Sequence, residues 1–278
     1  MTKVNRLPVS FHMSFQPERH YLSSLLSFAQ KCTIASIDEI SERTGIPTGK
    51  STGKVRPLLQ YAQGMGLLDV EALGKAGQVK LSLLPLGITV LREDPPLLEE
   101  NTQWALHLML CRKNGGAEVW HAVFVGAVDA LGKRFSETQF DEFLANRFGS
   151  SRDPIGPLIR TYMDPTGLGK AAAIFQQDSS IEVRKVPVQP AMYDMVAALL
   201  FMAWDTEFPT NKQVALKELE GASCLMAATG WNSHEQAQFL AEMEQVGWVK
   251  VDRQTGDPIL TRLINTHGIL DVMYDRLP

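Results

Sequence analysis

Val55, Leu58, Leu59, Ala62 and Met65 recur at the spacing of one helix face, whereas Val79, Leu81 and Leu83 alternate with Gln78, Lys80 and Ser82 at the spacing of a strand. Upstream, Ser36 and Glu39 have capping-box spacing, in which the Ser oxygen accepts the N3 amide and the Glu reaches back to the cap. This start predicts a helix over 37–44 that stops at Gly45, a residue free to adopt the left-handed conformation at a helix end. Pro57 is tolerated best in the first turn of the next helix, because its missing N–H has no intrahelical partner there. "LLDVEAL" and "QVKLSLL", joined by Gly74-Lys75-Ala76-Gly77, predict a hairpin. Helix, turn, helix and hairpin is the order of a winged helix-turn-helix, whose second helix enters the major groove while the hairpin touches the backbone.

The middle of the chain reads as helical over 101–113, 117–128 and 136–148, the last with a capping box from Ser136 and Gln139. "GSSRDP" at 149–154 and "DPTGLGK" at 164–170 read as loops. Near the end, Ser233 with Gln236 predicts a helix carrying Ala237, Leu240, Met243 and Val246 on one face, followed by the hairpin "WVKVD" and "PILTRL". The expected fold is mainly α with small β wings. It comprises a winged helix-turn-helix over 1–92, a helical middle region over 93–185 and an acidic winged-helix-like module over 186–278.

"GIPTGKST" at 45–52 invites a phosphate-loop reading, but G-x-x-x-x-G-K-[ST] needs four residues between its glycines and three separate Gly45 from Gly49. The preceding "SIDEISERT" is helical in pattern, where a phosphate loop follows a strand. No nucleotide cofactor is expected. The segment reads instead as the turn and leading end of the second helix, presenting positive charge and backbone donors to phosphate.

Charge distribution supports that placement. Net charge is only −4, yet residues 1–60 hold eight Lys or Arg against four acids, and residues 191–246 hold two Lys against eight acids. Polyanionic DNA is therefore drawn to the front of the chain and repelled from its back. Lys50, Ser51, Thr52, Lys54 and Arg56 make the helix start basic and hydroxyl-rich, and Arg19 and the hairpin-tip Lys75 complete the expected double-stranded DNA contacts. Glu235, Glu242 and Glu244 load the C-terminal helix with repulsive charge, so that module is expected to contact protein. The 278 residues, 45% hydrophobic, suffice for about two domains of ordinary size. Three widely spaced cysteines fit a reducing cytoplasm, and the longest apolar run, 195–204, is too short to cross a bilayer, so no membrane role is expected.

Two segments carry a family resemblance. "SFHMSFQPERHYL" at 10–22 is similar to an opening F-H-E-T-F segment, and Asp94-Pro95, Leu97, Glu99, Thr102, Trp104 and His107 are similar to a D-P-x-L-x-[DE]-x-x-T-x-W-x-x-H run. Gly49-Lys50 also sits where that family has such a pair before its second helix. The chain thus resembles the SspB-like DNA nickase family of bacterial phosphorothioation defence systems, closely over its first 110 residues and beyond them by length and helical plan. The resemblance implies magnesium-dependent opening of one DNA strand, beside a desulfurase, an ATP-using sulfur-transfer enzyme and an ATPase. Met13 replaces the family's Glu after the first His, which removes any metal role at that position.

A hard, octahedral Mg²⁺ is held by carboxylates. Asp94, Glu99 and Glu100 are the densest acidic cluster near the matching run, and Asp94, Glu99 and His12 are the catalytic candidates. The plainer reading of the acids is a solvated turn before a helix N-terminus, where the dipole favours negative charge. His107 shares a helix face with Trp104 and Cys111 and reads as a hydrogen-bonded core residue; for His12, core and site are equally weighted. The rival to nicking is a non-catalytic DNA-binding adaptor or transcription regulator. Since "GIPTGKST" has neither the length nor the context of a phosphate loop, the protein is expected neither to hydrolyse ATP nor to bind it. Equilibrium dialysis checks this, and stoichiometric ATP binding lost in Lys50→Ala would overturn it.

Overall fold

The computed structural model describes residues 5–49, 53–74, 77–149, 155–254 and 256–277. The first unit runs α1 (Arg19–Lys31), β1 (Ile34–Ser36), α2 (Ile37–Thr44), α3 (Val55–Gly64), β2 (Leu68–Ala72) and β3 (Gln78–Leu83), with strand order β1-β3-β2. The Ser36 oxygen accepts the Glu39 amide at 3.1 Å, and Gly45 ends α2 at φ +73°. Because α3 starts at Val55, Pro57 falls in its first turn and is accommodated without a kink. Val79 and Leu81 point inward as the alternation requires.

Two helices follow, α4 (Pro85–Glu93) and α5 (Glu100–Cys111). Beyond them the middle region, expected to be helical, also carries a sheet. After α6 (Glu118–His121), a π-helical turn (Ala122–Ala127) and α7 (Val128–Leu131) come β4 (Arg134–Ser136), α8 (Glu137–Phe148), α9 (Ile155–Met163), β5 (Ile174–Gln177) and β6 (Ser180–Val183). The strands order as β4-β6-β5, the same arrangement as the first sheet. The predicted capping box at Ser136 and Gln139 is present, and it starts a helix directly after a strand, as Ser36 does.

The third unit repeats this order with α10 (Pro190–Glu207), β7 (Gln213–Ala215), α11 (Leu216–Ser223), α12 (Leu225–Thr229), α13 (Ser233–Gln245), β8 (Val249–Asp252) and β9 (Ile259–Arg262), and α14 (Thr266–Val272) closes the chain. The α13 cap is Asn232 with Glu235, one residue earlier than the expected Ser233 and Gln236, because Asn232 Oδ1 accepts the Glu235 amide at 3.0 Å. In each unit the first strand pairs its central, buried residue with the last strand: Ala35 with Val79, Phe135 with Ile181, Val214 with Leu260.

The three units gather around α5, in which every residue from Asn101 to Cys111 is buried. Such a helix must find partners for its polar groups inside the protein. Asn101 donates to the Met273 carbonyl at 3.2 Å, Thr102 meets the Tyr274 hydroxyl at 2.7 Å, and the Gln103 carbonyl oxygen accepts the Lys170 amide at 2.8 Å. His107 Nδ1 lies 2.6 Å from the Tyr162 hydroxyl, which also accepts Trp120 Nε1 at 2.9 Å, so His107 is the hydrogen-bonded core histidine that its spacing suggested. Burial pushes its pKa down to about 3.

A histidine held neutral when folded but free to protonate when unfolded, near pH 6.5, makes the unfolded state bind more protons at acid pH. Stability from His107 is therefore complete above about pH 6.5 and is lost as pH falls towards the folded value near 3. Urea titrations at pH 7.5 and 5.0 are expected to show lower stability at the acid pH, with a smaller difference in His107→Gln. Tyr162→Phe, which removes the hydroxyl shared by His107 and Trp120, is expected to cost about 1–3 kcal/mol at neutral pH.

Candidate nucleic-acid interface

The turn from α2 to α3 is held by its own backbone. Ser41 Oγ donates to the Ile46 carbonyl at 2.6 Å, the Lys54 amide to Pro47 at 2.8 Å and the Gly53 amide to Gly49 at 3.2 Å. A β-carbon on Gly53 would lie 2.5 Å from the Gly49 carbonyl oxygen, so the chain folds back this tightly only with glycine there. The turn lies between two helices, which removes the strand that a phosphate loop requires.

The expected contacts divide into three groups. Lys50, Ser51, Thr52 and Lys75 lie outside the described residues. Arg56 is exposed on the first turn of α3, with no ion-pair partner among the described residues. Lys54 and Arg19 are committed elsewhere. Lys54 Nζ binds Glu18 at 2.7 Å and lies 5.6 Å from the ring centres of both Phe15 and Tyr21. Arg19 donates to the carbonyls of Gly167 and Pro165, each at 2.6 Å, and thereby holds the 165–167 turn against α1.

One basic residue at this surface was missed in the sequence. Arg160, on α9, donates to the Ser14 carbonyl at 2.8 Å and so sits against the 12–14 turn, where Met13 and Ser14 have φ of +46° and +69°. The helical-middle expectation hid it, because α9 occupies in the second unit the place of α3 in the first. The signal available was "RFS" before the Ser136 cap, parallel to "IAS" before Ser36.

His12 is buried beside this turn. Its Nδ1 accepts the Ser14 amide at 3.1 Å, which puts the ring proton on Nε2, and Nε2 has no hydrogen-bond partner among the described residues. Burial, and then the charge of Arg160, lower its pKa to about 4. The ring is neutral at physiological pH and too weak a base to take a proton efficiently there.

The acidic run behaves as architecture. Asp94 is 3% exposed, and its two oxygens accept the amides of Leu98 at 2.9 Å and Glu99 at 2.8 Å. This closes a turn in which Leu97 takes φ +56° and is buried. The turn delivers the chain into α5, and Thr102, Trp104 and His107 of the same run are all buried on that helix. The similar residues are thus those that seat α5. With one backbone amide on each oxygen and 3% exposure, Asp94 acts in this fold as the acceptor that closes the turn. Glu99 and Glu100 are partly exposed at the α5 start, and no group of three His, Cys, Asp or Glu among the described residues is arranged to hold a metal.

The acids of α13 are also engaged. Glu235 pairs with Lys185, Glu242 with Arg276, and Glu244 with Arg253 at 2.9 Å. The local negative excess along the sequence is therefore partly neutralised by cations from outside that segment.

Compared with solved structures, the chain matches a magnesium ion-bound SspB crystal structure with a TM-score of 0.67 and a second SspB crystal structure with 0.64. The chain has an SspB-like fold. Both matches have 15% sequence identity and cover 98% of this chain and 88% of the other. No family model and no curated protein matches. The SspB-like fold spans all three units, so the likeness extends well beyond the first 110 residues that carried it in the sequence.

Because Asp94 is the acceptor for two part-buried amides, Asp94→Ala is expected to destabilise the protein by about 2–6 kcal/mol, from about 1–3 kcal/mol for each amide left without its acceptor. Thermal denaturation with and without Mg²⁺ checks it. An unchanged Tm in the variant, or a Mg²⁺-dependent rise in Tm found only in the parent, would contradict this assignment.

Proposed function

We propose that the protein binds double-stranded DNA through its N-terminal unit and opens one strand, as an SspB-like component of DNA backbone phosphorothioation. The observation that carries this reading is the SspB-like fold over 98% of the chain, coinciding with the sequence similarity at 10–22 and 94–107. In this reading each of the three units is a winged helix, and α3 is the helix presented to the major groove. Exposed Arg56, with Lys50, Ser51 and Thr52, faces phosphate, whereas Lys54 is largely neutralised by Glu18 and Arg19 braces the fold. Lys75 at the hairpin tip is assigned to the backbone. Desulfurase, sulfur-transfer and ATPase proteins are the partners proposed with it, and the cytoplasm is the proposed location.

Magnesium accompanies the reading because one solved SspB structure holds it. Of the acids at the α5 start, only Glu99 and Glu100 are open enough to bear on such an ion, and two half-exposed carboxylates do not define a site. The second reading, a DNA-binding adaptor without cutting activity, is favoured by the amide-bound Asp94 and the low basicity of His12.

Gel-shift titrations against salt and a plasmid assay separate the two. Lys50→Ala with Arg56→Ala is expected to weaken binding to all duplexes and to flatten the slope of log K against log salt by about 2, close to one per lost phosphate contact. Lys54→Ala is expected to change the slope less. With supercoiled plasmid and Mg²⁺ or Mn²⁺, nicking predicts an open circle that Glu99→Gln with Glu100→Gln abolishes while DNA binding persists. Absence of any open circle in the parent overturns the nicking half and leaves the adaptor.

A further inference from the structure

A cavity of about 400 Å³ opens where the first unit, α5 and the third unit meet. Its wall is mostly apolar, formed by Leu84, Pro85, Met109, Leu199, Met202 and Leu225. Into this wall is set Arg112, directly after α5. Its Nε donates to the Asn114 carbonyl at 2.7 Å and one terminal nitrogen to Gly115 at 3.1 Å, while the other reaches only the Met109 sulfur at 3.2 Å. Among the described residues no carboxylate lies within ion-pair distance of it.

Two glycines at positive φ leave room beside the guanidinium. A β-carbon on Gly66 would come within 3.2 Å of one terminal nitrogen, and one on Gly115 within 2.7 Å of the other. Arg112 is half-buried, a position unfavourable for a guanidinium without a counter-ion, and burial lowers its pKa to about 10. Of the acids in the same wall, Asp205 is paired with Arg262 and bonded to Thr266, and Glu207, which accepts the neutral Asn114 Nδ2 at 2.9 Å, keeps its charge.

We propose that this cavity binds a small amphiphilic monoanion, an apolar body bearing one carboxylate, with Arg112 as its counter-ion. The volume and apolar wall suit a ligand of ordinary small-molecule size, and the planar fork of Arg112 matches a carboxylate in two parallel hydrogen bonds. Because the walls come from α5, α10 and the first unit, the ligand fastens the third unit to the first unit and α5 and stabilises the folded protein by linkage. This site is independent of the DNA-binding reading.

The test uses decanoate as the probe and the full chain. Calorimetric titration is expected to give one saturable site, and decanoate to raise Tm, with decanol weaker and decylamine inactive. Arg112→Met is expected to weaken decanoate at least about tenfold, the scale of one lost charge-assisted pair. Ala203→Trp fills the cavity and leaves Arg112 intact, and is expected to abolish binding with the fold retained by circular dichroism. Equal binding of decanoate and decylamine, unchanged affinity in Ala203→Trp, or no saturable binding to the parent would overturn the proposal. Should Arg112→Met fail to fold, Ala203→Trp and the decylamine comparison decide it.

Discussion

The complete burial of α5 is the constraint on which the rest of the molecule depends. A helix without a solvent face finds partners for its polar side chains inside the protein, and on α5 Asn101, Thr102, Gln103 and His107 do so, while Trp104 Nε1 has no partner among the described residues. Together they reach three parts of the chain: Asn101 and Thr102 the C-terminal segment at Met273 and Tyr274, Gln103 the 165–172 turn at Lys170, and His107 α9 at Tyr162. The first unit meets the same helix by close approach, since a β-carbon on Gly64 would stand 3.0 Å from the Leu110 side chain. Three small sheets are thereby held to one core.

This arrangement gives the resemblance to the nickase family a physical meaning. Asp94, Leu97, Thr102, Trp104 and His107 turn the chain and seat α5, so a similar run in another protein points to the same core before it points to the same chemistry. That is consistent with an SspB-like fold at 15% identity. A core helix constrains side chains tightly, whereas a surface that meets phosphate needs positive charge more than any particular residue.

Charge in the folded protein is distributed differently from charge along the chain. Lys54 and Arg19, counted among the basic residues of the front, are spent on Glu18 and on backbone carbonyls, while Arg160 arrives at the same surface from a hundred residues away. At the other end, Lys185, Arg253 and Arg276 come back to the acids of α13. Net excess over a segment is a fair guide to long-range attraction, but which cations remain free is a matter of neighbours.

Where the determinants are local, the sequence alone was enough. Ser36 with Glu39, Gly45, Pro57 and the Val79–Leu83 alternation specify the first unit because caps, helix ends and strand faces depend on residues a few positions apart. The same holds for the Ser136 cap. The second sheet escaped because β4 is three residues long and pairs with β6 more than forty residues later, leaving almost no periodic signal. The α13 cap fell on Asn232 in place of Ser233 because either side chain can accept an amide, and the packing of Phe239, Leu240 and Met243 chooses the register. Asp94 looked like an exposed acid in a turn and became a buried acceptor. Burial and pairing are set by residues far apart in sequence, so only the tertiary structure decided which charges are engaged, which histidines are neutral, and that Arg112 stands in the wall of a mostly apolar cavity with no counter-ion among the described residues.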